Sequence, residues 1–169
     1  MSTDPSPDFT LDTPRPEDAE ALARIHVRGW EVAYAHLIEG ERWFGQEAVE
    51  RRTAQWTGIL SQQSPEHRLQ IGRDADGTPI GFAWAGQSRD DEAPRPRELW
   101  ALYIDEAWFG TGLGRALAEA ILEEGPASVW VAEENPRARR FYEKLGFAAD
   151  GATQVEEHLG GIRELRMVR

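Results

Sequence analysis

Seven consecutive residues, Phe109-Gly110-Thr111-Gly112-Leu113-Gly114-Arg115, carry the most specific chemical signal in the chain. An apolar run ends in this glycine-spaced turn, and a helical pattern begins at once. Glycines let backbone come close to a ligand, and the unpaired amides of a first helical turn point at it. Strand, glycine turn and helix N-terminus together predict a phosphate-bearing ligand held by main chain. The dinucleotide fingerprint G-x-G-x-x-G fails, because Arg115 stands where its last glycine would be, and G-x-x-x-x-G-K-[ST] is absent.

Three further groups could do chemistry. Tyr142 lies on the apolar face of a helical segment, and a phenol with pKa near 10 can donate a proton at neutral pH. Glu98 opens the strand before the glycine turn; as a base it would need burial to raise its pKa from about 4.3. Asn135-Pro136 opens the next helix, Asn as N-cap and Pro as first helical residue. His26, His36, His67 and His158 show no metal-ligand spacing, so no metal is expected. With no cysteine in the chain, disulfides, thiolate metal sites and acyl-cysteine chemistry are excluded.

The elements that must position these groups follow from periodicity. Phe9, Leu11 and Thr13 alternate as a first strand. A helix from about Asp18 to Ala35 carries Leu22, Ala23, His26, Val27 and Trp30 at helical spacing, and a second runs from about Glu41 to Leu60. Leu69 and Ile71, then Ile80, Phe82 and Trp84, flank Asp76-Gly77, which predicts a hairpin with a two-residue turn. Residues 86–97 read as a polar loop, and Leu99 to Ile104 as a buried fourth strand. After the glycine-turn helix come a strand over Ser128–Ala132, the Asn135 helix ending at Gly146, and two strands, Phe147 to about Ala152 and Ile162 to Val168. The predicted order is β-α-α-β-β-β-α-β-α-β-β: a mixed α/β domain over residues 8–169, behind a frayed tail at 1–7.

Composition narrows the partners. The 169 residues include seven tryptophans, which suits one folded domain. The net charge of −11 without a basic tract argues against nucleic acid or an anionic membrane as partner, and suits an amine substrate or plain solubility. No apolar run reaches the roughly 18 residues of a membrane span, and no signal-peptide pattern opens the chain, so a cytoplasmic protein is expected.

The glycine turn resembles the [QR]-x-x-G-x-[GA] motif of the GNAT superfamily of acetyl-CoA-dependent N-acetyltransferases, with Phe109 where Gln or Arg is usual. Asn135-Pro136-Arg137-Ala138-Arg139-Arg140-Phe141-Tyr142-Glu143-Lys144-Leu145-Gly146-Phe147 is similar to that family's second motif, and the likeness spans nearly the whole chain. The resemblance implies the GNAT fold, a sheet splayed between strands four and five, with acetyl-CoA as co-substrate. It implies a cofactor site of Leu102, Tyr103 and Ile104 on the fourth strand, the turn Phe109, Gly110, Thr111, Gly112, Leu113, Gly114 and Arg115, then Asn135 and Arg139, with Arg140 a weaker partner. An amide of the fourth strand, that of Leu102 or Tyr103, would polarise the thioester carbonyl.

Tyr142 matches the tyrosine that protonates the departing thiolate. Glu98 falls where a subset of the family carries a glutamate base; other members use water chains. Trp30, Tyr34 and Trp84, with Trp43 beside them, would wall the acceptor pocket. The expected reaction is direct attack of a small-molecule or peptide amine in a ternary complex; the rival is a CoA-binding sensor without transfer chemistry. Dimers are common in the family, which leaves a homodimer open.

Overall fold

The computed structural model describes residues 8–38, 42–62 and 64–169; the tail at 1–7 and the expected helix start at Glu41 lie outside them. Among the described residues, seven strands and four helices follow in the expected order. They are β1 (Phe9–Asp12), α1 (Ala19–Tyr34), α2 (Gln46–Ser61), β2 (Arg68–Asp74), β3 (Pro79–Gln87), β4 (Arg97–Ile104), α3 (Leu113–Leu122), β5 (Ser128–Ala132), α4 (Pro136–Lys144), β6 (Ala148–Glu156) and β7 (Ile162–Val168). They form one sheet in the order β1-β2-β3-β4-β5-β7-β6, antiparallel except for β4 and β5, which run parallel.

Each face of the sheet is covered by a helix pair. Leu113, Leu117 and Ile121 of α3 pack with Val129, Leu165 and Met167 on one side. Leu22 and Val27 of α1 and Trp56 of α2 pack over Ile71 and Phe82 on the other. Leu22, Leu117 and Phe82 are wholly buried, a gain of about 1.5–3 kcal/mol for each such side chain. Asp18 precedes α1 without capping it through its side chain. Its carboxylate instead accepts from the Arg15 amide at 2.7 Å and from Arg73 on β2 at 2.7 and 3.0 Å, pinning the helix start to the sheet.

Four boundaries differ from the sequence reading, each for a local reason. α2 begins at Gln46, because Gly45 sits at φ 84° and the aromatic residues before it, Trp43 and Phe44, pack against Trp30 and Ile38 in a turn. The β2–β3 turn is longer than two residues: Asp74 donates to Thr78 O, and the Asp74 carboxylate accepts from the Thr78 amide. β3 extends to Gln87 and β4 starts at Arg97, so the polar loop is shorter than 86–97. β6 continues to Glu156, passing Gly151 at φ 92° where its register against β7 shifts.

The feature that shapes the site is a failure of pairing. β4 and β5 are joined only at Glu98↔Ser128 and Leu99↔Val129. Beyond them β5 pairs with β7 alone and β4 with β3 alone, so a gap opens down the middle of the sheet. A register shift opposite Trp84/Ala85 leaves Trp100 as an extra residue where the strands part.

Candidate active site

The glycine turn lies at the open end of the gap. Gly110 (φ 76°) and Gly112 (φ 90°) hold left-handed backbone that other residues resist, and a Cβ on either would meet nothing within 4 Å. Space is therefore open above both. Gly114 is a glycine for a different reason: a Cβ there would lie 3.2 Å from the Phe141 ring, so it lets α3 approach α4.

The Thr111 hydroxyl donates to Trp108 O at 2.7 Å and accepts from the Leu113 amide at 3.4 Å. The first backbone bond into α3 is Ala116 N to Gly112 O. Among the described residues, the amides of Gly110, Gly112, Gly114 and Arg115 find no acceptor. No acidic side chain occupies the first turn of α3 to offset its positive end. This is a four-amide anion cradle.

The flanking residue was not legible from the motif. Phe109 stands where a polar residue was expected, and the Arg137 guanidinium lies over its ring, 3.4 Å from the centroid. A cation thus reaches the cradle from α4 instead of from the turn. Burial lowers the Arg137 pKa, and Glu106 partly offsets this. The signal in the sequence was the arginine two residues after Asn135. Of the other candidate arginines, Arg115 pairs with Glu119 at 2.7 Å and Arg139 donates to Glu133 O at 3.2 Å, while Arg140 makes no ion pair among the described residues. Asn135 caps α4, its Oδ1 accepting from the Ala138 amide at 3.1 Å.

Along the gap, β4 turns alternate amides to opposite sides. Asp105 donates to Ile80 O on β3, so alternation sends the Tyr103 amide to β3 and those of Leu102 and Ile104 into the gap. Of the two expected carbonyl donors, Leu102 is the one whose amide faces the gap.

Tyr142 comes from α4 and is 8% exposed, held edge-on by Phe141 and Phe147. Burial, then the neighbouring Tyr34 phenol, pushes its pKa well up. Burial and the Glu164 carboxylate push Tyr34 up to about 12. Tyr103 is raised as well, by burial and by both other phenols. Three tyrosines from α1, β4 and α4 thus converge, all protonated at neutral pH.

Glu98 is 1% exposed, and its carboxylate is filled. Oε2 accepts from the Arg89 amide at 2.9 Å, while Oε1 accepts from Arg89 Nη2 at 2.7 Å and Nε at 3.3 Å. Both of its oxygens are thus engaged by Arg89. Nearby, Glu164 on β7 stands opposite Ala132, where β5 borders the gap. Its Oε2 accepts from Gln154 at 2.8 Å, and its Oε1 has no partner among the described residues. Burial and the carboxylates of Glu156 and Glu98 raise its pKa, against the pull of Gln154 and Arg89. Sequence reasoning missed Glu164, since a lone acid in the final strand carries no motif.

The predicted aromatic walls separate into two groups. Trp30 stacks on Trp43 at 5.9 Å and meets Tyr34 edge-on at 5.0 Å, beside the tyrosine cluster. Trp84 sits farther along, against Trp56, His67 and Trp100. Among the described residues no group of His, Asp or Glu could hold a metal ion, and no helix is long and apolar enough to cross a membrane.

Comparison with known proteins names the class that fits this geometry. Residues 28–147 match the model of the Acetyltransferase (GNAT) family. The chain belongs to that family and is an acyltransferase of its type. It is 29% identical over 153 residues to the uncharacterised N-acetyltransferase YuaI of Bacillus subtilis, covering 87% of this chain and 83% of that one. It is equally identical, over 145 residues and 85% and 84% of the two chains, to the peptidyl-lysine N-acetyltransferase YjaB of Escherichia coli. The fold is shared with the PaiA N-acetyltransferase of Thermoplasma acidophilum, solved with coenzyme A: TM-score 0.67, 21% identity, 94% and 98% of the chains aligned.

Proposed function

We propose that this protein transfers the acetyl group of acetyl-CoA to a primary amine by direct attack, from a cytoplasmic pool of the cofactor. The observation that carries the reading is one arrangement: four amides of the Gly110–Arg115 turn, unpaired among the described residues, follow a β4 that parts from β5, and Tyr142 neighbours Tyr103 of that strand. The Gly110–Arg115 amides hold the diphosphate, with Phe109 and Arg137 beside it. Asn135 lies along the gap within reach of the pantetheine arm, its Oδ1 committed to the cap and its amide group available. Bound acetyl-CoA supplies an activated acyl group.

The Leu102 amide donates to the carbonyl oxygen, with Tyr103 and Ile104 flanking it on β4. Such a donor is worth about 10²–10³ in rate when it meets developing charge. Tyr142 gives its proton to the departing sulfur. Because its pKa stands above that of a thiol, near 8.5, the proton is best shared in a hydrogen bond at the moment of cleavage. The ammonium proton of the acceptor goes to a carboxylate, Glu164 on β7 or Glu98 on β4. Glu164 has a free oxygen for it, and Glu98 takes the role when Arg89 swings away. Trp30, Tyr34 and Trp84 wall the acceptor's approach. No cysteine exists to carry the acyl group, which leaves direct attack.

A thermal-shift panel followed by a thiol-release assay tests this. CoA, but not ATP or NAD, should raise the melting temperature, and acetyl-CoA with an amine library should release free thiol. Stabilisation by ATP or NAD in place of CoA refutes the cradle assignment; stabilisation by CoA without thiol release leaves a CoA-binding sensor.

A further inference from the structure

On the α1/α2 side of the sheet a cleft of about 520 Å³ is lined by His26, Arg52, Trp56, Ile59, His67 and Trp84. A space of that size suits a small molecule. Its lining carries the Arg52 guanidinium and no carboxylate; Gln55 and Gln62 are the remaining polar side chains beside the histidines and indoles. The indole N–H groups of Trp56 and Trp84 are buried without an acceptor among the described residues, and His26 Nδ1 is likewise unpartnered.

Arg52 is the sharper anomaly. The chain carries 30 acidic residues, yet none of the described ones forms an ion pair with this half-buried guanidinium. It lies over the Trp30 ring at 5.8 Å, and burial together with the Arg51 charge disfavours its cation. A guanidinium so placed has a fork of donors matched to a carboxylate. One of its walls, His26, is shared with the tyrosine cluster. The His26 ring is 4.8 Å from that of Tyr103, and Trp30 is 5.0 Å from Tyr34. Beyond Tyr34 stands the Glu164 carboxylate.

We propose that the acceptor is a small primary amine that also bears a carboxylate, gripped by Arg52, with its carbon body against the cleft indoles and its amine toward Tyr34 and Glu164. The inference rests on the acetyl-transfer reading for the amine end alone. In the transfer, the amine nitrogen bonds the acetyl carbon as the carbon–sulfur bond breaks. The ammonium proton passes to a carboxylate of the site, Tyr142 protonates the sulfur, and the second proton of the attacking nitrogen returns to the Tyr142 phenolate as the amide forms.

Matched amines test the carboxylate. Tryptophan is compared with tryptamine, and phenylalanine with phenethylamine, by stabilisation of the protein and by kcat/KM in thiol release. In the wild type the carboxylate member of each pair should be preferred at least about tenfold; Arg52→Gln should bring that ratio close to one through KM, and Arg52→Lys should lower it less. Because each ratio is internal to one variant, a general folding defect does not imitate the result. Equal use of both members by the wild type, preference for the simple amines or for a lysine peptide, or equal loss with both members in Arg52→Gln overturns the inference. If CoA fails to bind, the acetyl-transfer reading falls instead, and the carboxylate preference is then read from stabilisation by the amines alone.

Discussion

Replacing Gly112 by alanine separates backbone strain from ligand contact. The residue sits at φ 90°, and its added Cβ would meet nothing within 4 Å, so the fold loses only the cost of a left-handed conformation. That cost is about 1–2 kcal/mol. For a chain of this size, about 2–4 °C per kcal/mol gives a fall in Tm of roughly 2–8 °C. Gly77 in the β2–β3 turn is a matched control: φ 83°, nothing within 4 Å of its Cβ, and a position on a hairpin away from the cradle. Both alanine variants should lose similar stability without ligand. At 100 times Kd, CoA adds about 2.7 kcal/mol to a protein that binds it. Gly77→Ala should keep that increment. In Gly112→Ala the methyl projects into the open space above the amides, and Kd should rise at least about tenfold, or 1.4 kcal/mol. Thermal shift against CoA concentration reads both quantities. Equal CoA increments in the two variants would refute the placement of the diphosphate on this turn.

Other perturbations have equally definite outcomes. Tyr142→Phe should lower kcat by about 10²–10⁴-fold with CoA affinity nearly intact; unchanged turnover removes Tyr142 from the chemistry. Glu164 has a raised pKa, so as the base it is ionised only above that value, and kcat/KM should fall as pH drops through a midpoint above the usual carboxylate range. Glu164→Gln should abolish that limb, whereas its loss in Glu98→Gln alone assigns the proton to Glu98. Arg73→Met leaves the buried Asp18 carboxylate unpaired and should cost about 3 kcal/mol in urea unfolding; a loss below about 1 kcal/mol would show the ion pair to be dispensable. His26 has a pKa driven well down by burial and by Arg52. The unfolded chain therefore takes up a proton that the folded one refuses, and stability should decline as pH falls below about 6.5. His26→Leu should flatten that decline, and an unaltered slope contradicts it.

The sequence displayed those parts of the molecule that obey local rules. Alternation in Ile80, Phe82 and Trp84 and the helical spacing of Leu117 and Ile121 follow directly from side-chain period, and the element order came out of them. The glycine turn was legible because positive φ restricts residue choice. Its open space, however, emerges only when α3 is set against β4. What arises between distant segments was not visible. Arg137 reaches Phe109 across 28 positions, Arg89 fills Glu98 from the preceding loop, and Glu164 joins Tyr34 from the last strand. Gly29 belongs here too: it reads as a flaw in α1, yet a Cβ there would run into the Tyr103 ring, so it lets the helix sit close over β4. Trp84, read as a wall of the acceptor pocket, lines the cleft that Arg52 overlooks.

An amide-resolved NMR titration of the protein with CoA tests the central claim most directly. The amides of Gly110, Gly112, Gly114 and Arg115 should shift the most, with Leu102 and Ile104 following along the gap. Saturable binding that leaves those four amides unmoved would contradict the account.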